Sequence, residues 1–283
     1  MLSKPMFWKL LKLVGGCMSL YYELKLRRAL VITKRFVENY GKVYVMFSGG
    51  KDSLVALDIV YRAVGSEGIR AVVFQEMTGN TAKEAVEYVY SVVDMYGLRH
   101  KFIHQKLPYD HLDAFKRWGL PLYRGRWCRG EKWKLARKLQ PPWLWVIGIK
   151  ASDSSLRASS QWNKYIVELP RLKEVALQPV IEFTNQDIWY YIKARDLPIN
   201  PCYEKYGFCG VCMFCPFHDS STIEKVMSDE RWCEKIVDVL MHIRSRSRYT
   251  VTIIRRYVKY AKCLSEEEKR RILDSLVPVP KEA

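Results

Sequence analysis

One short stretch limits the fold more than any other. Lys42-Val-Tyr-Val-Met-Phe47 is β-rich and runs directly into Ser48-Gly49-Gly50-Lys51-Asp52-Ser53, after which Leu54, Val55, Leu57, Ile59 and Val60 fall at helical spacing. This is strand, glycine loop, helix. Two glycines let backbone approach an anion with no side chain between, and the N–H groups opening the next helix supply donors and positive dipole. Lys51 adds a full charge, Ser48 and Ser53 add hydroxyls, and Asp52 suits a Mg²⁺ ion held against phosphate or the orientation of the loop.

The same unit recurs. Ile69–Phe74 reads as a second strand, followed by a turn at Thr78-Gly79-Asn80-Thr81 and a helix carrying Ala85, Val86, Val89, Val92 and Val93 inward. Phe102-Ile103 is a third strand and Leu144–Ile149 a fourth, with a helix over Glu131–Leu139 between them. Alternating strands and helices predict an α/β fold with a doubly wound parallel sheet, covered on both faces, whose ligands sit beyond the carboxyl ends of the strands. Ahead of the sheet, residues 20–40 read as a helix that Gly41 ends, and Phe7–Val14 as a short amphipathic helix with Lys9 and Lys12 in it. The expected organisation is a helical segment over 1–40, a nucleotide-binding domain over 41–197, and a helical, cysteine-bearing region over 198–283.

The chain has 283 residues and 49% hydrophobic content, enough for a large core. No apolar run reaches the ~18 residues of a membrane span, so no membrane partner is expected. Leu13–Cys17 is loosely like a lipoprotein cleavage site, but the lysines spoil the hydrophobic stretch before it. Forty-seven basic against 30 acidic residues leave a net charge of +17, which predicts attraction to a polyanion, nucleic acid first; a generally basic solvated surface is the plain alternative.

Three of the eight cysteines crowd into Cys209-x2-Cys212-x2-Cys215, followed by Pro216. That spacing suits metal capture in a reducing, cytoplasmic compartment better than a disulfide framework. Part of an iron-sulfur pattern is present, a 4Fe-4S cluster being the first reading and structural zinc the second. Phe208, Phe214 and Phe217 would shield such a site, and His218 reads as a surface or outer-shell residue. Cys17, Cys233 and Cys263 read as small buried hydrophobes.

Several ordered motifs together resemble the phosphoadenosine-phosphosulfate reductase-like branch of the PP-loop ATP pyrophosphatase superfamily, over most of residues 40–220. Beside the loop stand Phe74-Gln75-Glu76-Met77-Thr78-Gly79, similar to the family's adenosine-reaching segment, and Gly148-Ile-Lys-Ala-Ser-Asp153-Ser-Ser-Leu-Arg157. In that second segment Lys150 replaces an arginine and Asp153 a glutamate of the family pattern. Gln178-Pro179, Thr184-Asn-Gln-Asp187-Ile-Trp189 and Leu197–Tyr203 complete the set. The resemblance implies a Rossmann-like fold and ATP bound through Ser48–Ser53, Gln75, Thr78 and Gly148. It implies cleavage between the α and β phosphates, with Lys51, Asp52, Lys150 and Arg157 as the catalytic set. It also implies Cys128 as a fourth metal ligand in preference to Cys202.

The reductases of this branch carry a nucleophilic cysteine in a Glu-Cys-Gly context near their C-terminus and a degenerate phosphate loop. Here the loop is intact, and Leu276–Ala283 holds no cysteine. Both departures favour an ATP-dependent sulfurtransferase that releases pyrophosphate. Its acceptor would be transfer RNA and its sulfur source a donor protein or sulfide, with the oligomeric state open to a homodimer. Arg244, Arg246, Arg248, Arg255, Arg256, Lys259 and Lys262, interleaved with Tyr249, Tyr257 and Tyr260, would supply phosphate contacts and base stacking, and DNA sulfur modification would fit the same pattern. Reduction of activated sulfate is the main alternative. A nucleic-acid-binding protein with structural zinc and a relic nucleotide pocket is the other.

Overall fold

The computed structural model describes residues 4–122, 126–154, 158–159, 164–169, 174–243 and 247–276, with side chains from residue 20 onward. The chain divides into two compact units. The first comprises residues 1–73, 96–103 and 140–198, and the second residues 74–95, 104–139 and 199–283.

The first unit opens with one long helix, α1 (Lys4–Tyr40), where the sequence suggested two pieces. Its inward residues, Tyr22, Leu26, Ala29, Thr33 and Phe36, repeat at alternating steps of four and three, the spacing that keeps one helix face on a neighbour. That neighbour is α2 (Lys51–Val64), the helix of the glycine loop.

The sheet has six strands: β1 (Val43–Met46), β2 (Ile69–Glu76), β3 (Phe102–Lys106), β4 (Trp143–Ile147), β5 (Ile166–Leu169) and β6 (Glu174–Leu177). Their order is β3-β2-β1-β4-β6-β5. β1 runs parallel to both β2 and β4, and β4 parallel to β6; β5 pairs antiparallel with β6, at an edge. Buried Val43, Val45, Val72, Val73, Trp145 and Val146 fill its centre, as expected where helices cover both faces. From β1 the chain moves outward one way to β2 and β3, then returns to place β4 on the other flank of β1. The order therefore reverses between β1 and β4, the switch point at which a doubly wound sheet leaves a crevice beyond its strand ends. α6 (Asn185–Ala194), capped by Thr184 and Asp187, completes the unit.

The second unit is mostly helical. It contains α3 (Lys83–Met95), α4 (His111–Trp118), α5 (Trp127–Ala136), α7 (Cys202–Tyr206), α8 (Ser220–Met227), α9 (Glu230–His242), α10 (Arg248–Tyr260) and α11 (Glu266–Asp274). Its core gathers Phe115, Phe214, Ile223, Met227, Ile236, Leu240, Ile254, Tyr257 and Val258. Cys233 and Cys263 form a disulfide across 30 residues. This corrects the expectation that both are lone buried hydrophobes: they lie too far apart in sequence for spacing to reveal the pairing. Among the described residues no helix is long and apolar enough to cross a membrane.

Candidate functional sites

The phosphate loop lies at the switch point of the first unit, between the end of β1 and the start of α2. Gly49 has φ +73°, a left-handed conformation open to glycine at little cost. Gly50 is the N-cap of α2, and the amide of Leu54 makes the first helical bond, to the Gly50 carbonyl at 2.9 Å. A helix leaves its opening N–H groups without partners in its own turn, so they face the crevice as donors.

The serines hold the loop together. Ser53 Oγ donates to the Gly50 carbonyl at 2.8 Å, accepts from the Ser48 amide at 3.3 Å, and lies 3.1 Å from Ser48 Oγ. Their first task is thus to set the shape of the loop.

Beyond β4, the neighbouring strand, Gly148 meets this loop from the other side. A Cβ there would lie 2.7 Å from the backbone carbon and oxygen of Asp52 and from Ser53 Cα. Gly148 is what allows the two strand ends to come this close. Two residues on, the fully buried Lys150 places its ammonium 2.8 Å from Asp52 Oδ1 and 2.8 Å from Asp153 Oδ1. Asp52 Oδ2 in turn lies 3.1 Å from Lys51 Nζ. Two ammoniums and two carboxylates therefore alternate in one line, and both oxygens of Asp52 face a cation. Burying Lys150 would be prohibitive without such partners. Arg157, the remaining member of the expected catalytic set, lies outside the described residues.

Gln75 and Thr78 belong to the second unit, where each makes a local bond. The Gln75 amide donates to Gln105 Oε1 at 2.9 Å and to the Lys132 carbonyl at 2.8 Å, and Thr78 Oγ1 donates to the Leu107 carbonyl at 2.9 Å.

The cysteine loop is built on a residue that sequence reasoning passed over. Asn80, fully buried, accepts from the Phe214 amide at 2.7 Å and donates to the Phe214 carbonyl at 2.9 Å, with its amide also 3.0 Å from His111 Nδ1. Backbone bonds from Ala82 to Gly210 and from Met213 to Asn80 continue the seam. On another side, Asn200 donates to the Cys209 carbonyl at 3.0 Å. From α10, Tyr257 and Arg256 grip the loop end: Arg256 donates to the His218 carbonyl at 2.6 Å. Cys212 has φ +64°, a conformation rare for a residue with a Cβ and one that surrounding structure must enforce.

Cys128, Cys209, Cys212 and Cys215 are all free and half-buried. Burial raises the thiol pKa of Cys128 and Cys209 and pushes Cys215 up to about 12. The charge on Cys212 acts on all three, and that on Cys128 acts on Cys215. For Cys202, raised to about 12, the acting charges after burial are Glu84, Cys209 and Lys205. Cys212 thus lies within electrostatic reach of Cys128, Cys209 and Cys215, and Cys209 within reach of Cys202. Among the described residues no group of three or more Cys, His, Asp or Glu is gathered tightly enough to hold an ion outright. In kind the donors fit a soft metal or an iron-sulfur cluster, because thiols that burial keeps protonated become thiolates once a cation offsets the cost.

Helix α10 departs from the expectation placed on it. Tyr257 is fully buried and Tyr249 half-buried, its hydroxyl donating to the Pro121 carbonyl at 3.2 Å. Tyr257 has no free face for a base; it is a core residue, and the base-stacking expectation fails for it. Arg244 and Arg246 lie outside the described residues.

The family model for the phosphoadenosine phosphosulfate reductase domain matches residues 42–218. The uncharacterized protein MJ0066 of Methanocaldococcus jannaschii is 29% identical over 223 residues, 73% of this chain and 44% of that protein. Adenosine 5'-phosphosulfate reductase of Shouchella clausii is 32% identical over 81 residues, 29% of this chain and 32% of its own. The chain spans less than half the length of these curated relatives. Among solved structures, U34-tRNA thiolase NcsA from Methanococcus maripaludis, with its 4Fe-4S cluster, aligns at TM-score 0.47 and 14% identity, over 92% of this chain and 83% of that one. Phosphoadenylyl-sulfate reductase from Candida auris aligns at 0.45 and 16%, over 72% and 92%.

Proposed function

The chain belongs to the phosphoadenosine phosphosulfate reductase domain family, and from that premise we propose that it is an ATP-dependent sulfurtransferase, cleaving ATP to pyrophosphate and acting on a nucleic acid, transfer RNA first. One observation carries the reading. The complete Ser48–Ser53 loop sits at the N-terminus of α2, at the switch point, with Lys51 in the first turn. A substrate lacking β and γ phosphates would leave much of that machinery idle.

In this reading an acceptor carbonyl oxygen attacks the α-phosphorus and pyrophosphate leaves. The opening amides of α2 and the Lys51 ammonium meet the charge that builds on the departing phosphates, which is electrostatic catalysis. Asp52, held between Lys51 and Lys150, fixes the direction of Lys51 and is the candidate Mg²⁺ contact. Sulfur then displaces AMP, which departs with the acceptor oxygen. Cys128, Cys209, Cys212 and Cys215 would hold an iron-sulfur cluster, whose chemistry when bound is to carry the sulfur or tune its delivery.

The test is pyrophosphate release from ATP by anaerobically purified protein, with and without bulk transfer RNA, alongside an iron, sulfide and zinc assay. RNA-stimulated release by a protein holding iron and sulfide, both lost in Cys212→Ala, supports the reading. Stoichiometric zinc without sulfide rejects the cluster and leaves the cysteines structural. The adenosine 5'-phosphosulfate reductase that matches 29% of the chain favours a second reading, reduction of activated sulfate. Thioredoxin-dependent release of sulfite from adenylyl sulfate, with no cleavage of ATP, would establish it instead.

A further inference from the structure

Helix α10 has two working faces, and only the inner one takes part in the contacts above. Its 13 residues include no Asp or Glu. Val251, Ile254, Tyr257 and Val258 point into the core, and Tyr257 and Arg256 hold the end of the cysteine loop. The opposite face is exposed and carries Arg248, Thr252, Arg255 and Lys259, at steps of four, three and four residues, so all four lie along one line. At 1.5 Å per residue, the cations follow one another at about 10 Å and about 6 Å along the helix axis.

Other exposed cations of this unit stand beside a carboxylate, as Lys134 does with Glu131, or Lys205 with Glu84 and Asp229. Arg248, Arg255 and Lys259 pair with no carboxylate among the described residues. The acidic first turn of α11 is occupied locally: Glu266 meets Lys269, Glu267 meets Arg271, and Glu268 caps Ser265. An acid-free line of cations without carboxylate partners, Lys259 resting 5.2 Å from the Tyr260 ring centroid, is complementary to a chain of phosphates.

We infer that the outer face of α10, through Arg248, Arg255 and Lys259, is the track on which the phosphate backbone of a nucleic-acid strand docks. The inference rests on the proposed acceptor class and narrows it to a surface. The same helix grips the cysteine loop from its other side, so docking would register the strand against that loop through a single rigid element. Base stacking by Tyr257 has no part in it. Thr252, whose hydroxyl donates to the Arg248 carbonyl at 2.9 Å, lies between the two arginines and adds no charge of its own.

The test compares two charge-matched triple variants of the full chain, R248Q/R255Q/K259Q on α10 and R27Q/K34Q/R35Q on exposed positions of α1. Binding of labelled transfer RNA and of duplex DNA is followed by anisotropy across a salt series. The α10 variant is expected to bind about tenfold or more weakly at low salt, with its plot of log affinity against log salt shallower by about 2 to 3. The α1 variant should retain both affinity and slope. R248K/R255K should bind as wild type does, and nucleotide binding should be the same in all four proteins, which separates lost docking from lost folding. Whichever nucleic acid wild type prefers identifies the source of the phosphates. Equal losses in the two triple variants would overturn the track while leaving the acceptor class standing. Absence of saturable binding to either nucleic acid by wild type would overturn both.

Discussion

The Tyr257 hydroxyl engages both backbone groups of Cys215: it donates to the carbonyl at 2.8 Å and accepts from the amide at 3.3 Å. A fully buried side chain on one helix thereby fixes a candidate ligand 42 residues earlier in the chain. Tyr257→Phe keeps the ring and its packing but leaves a buried N–H and a buried carbonyl less satisfied. The expected loss is about 2 to 4 kcal/mol in urea unfolding, together with lower retention of metal on gel filtration. A variant as stable and as metal-rich as wild type would show that the hydroxyl is not the anchor.

Gly148→Ala should damage the phosphate loop without changing any residue of Ser48–Ser53. Its Cβ would meet backbone atoms of Asp52 and Ser53 at 2.7 Å, and neither can turn aside as a side chain would. The start of α2 must shift, and misplacing a catalytic element by about 1 Å can cost ~100-fold in rate. We expect weaker nucleotide binding by calorimetry, with the second unit's metal content unchanged. Wild-type affinity in this variant would mean the loop tolerates displacement.

His111 makes stability depend on pH. Burial, with a smaller contribution from Lys132, lowers its pKa from 6.5 to about 3, so the native state keeps it neutral while the unfolded chain takes up a proton below pH 6.5. Its contribution is fully present above pH 6.5 and is lost as pH falls toward 3, at about 1.4 kcal/mol per pH unit. Chemical unfolding at pH 7, 6, 5 and 4 should show wild type losing more than His111→Gln by about that slope. Parallel curves would remove His111 as the source.

The disulfide should stabilise the second unit chiefly by restricting its unfolded ensemble. Closing a loop of about 30 residues is worth roughly 3 to 4 kcal/mol in the chain-entropy model. Reductant, or Cys233→Ala with Cys263→Ala, should lower the melting temperature by several degrees. A protein indifferent to reductant would show that the bond adds no net stability.

The parts of this molecule legible in its sequence are those with strong local rules. A strand running into two glycines and a helix announces the phosphate loop, and three cysteines at two-residue spacing announce their own loop. β5 and β6 leave no local signal, because Ile-Val-Glu-Leu and Glu-Val-Ala-Leu are only four residues each, too short for a period to establish itself. Asn80 sits in a turn that its neighbours signal; its bonds to Phe214 join residues 134 apart, a relation no local pattern encodes. Tyr257 did carry a signal. Val251, Ile254, Tyr257 and Val258 share one helical face, and weighing that periodicity above the neighbouring charges would have assigned the tyrosine to the core.

The bond between Cys233 and Cys263 joins α9 to the segment just past α10, so the whole of α10 lies inside a covalent ring. Fraying at either end of that helix is therefore tethered: a segment that loosens stays leashed within a short radius and re-docks by a search through few conformations. The element that grips the cysteine loop on one side and offers its cations on the other is thus tied at both flanks into one closed ring.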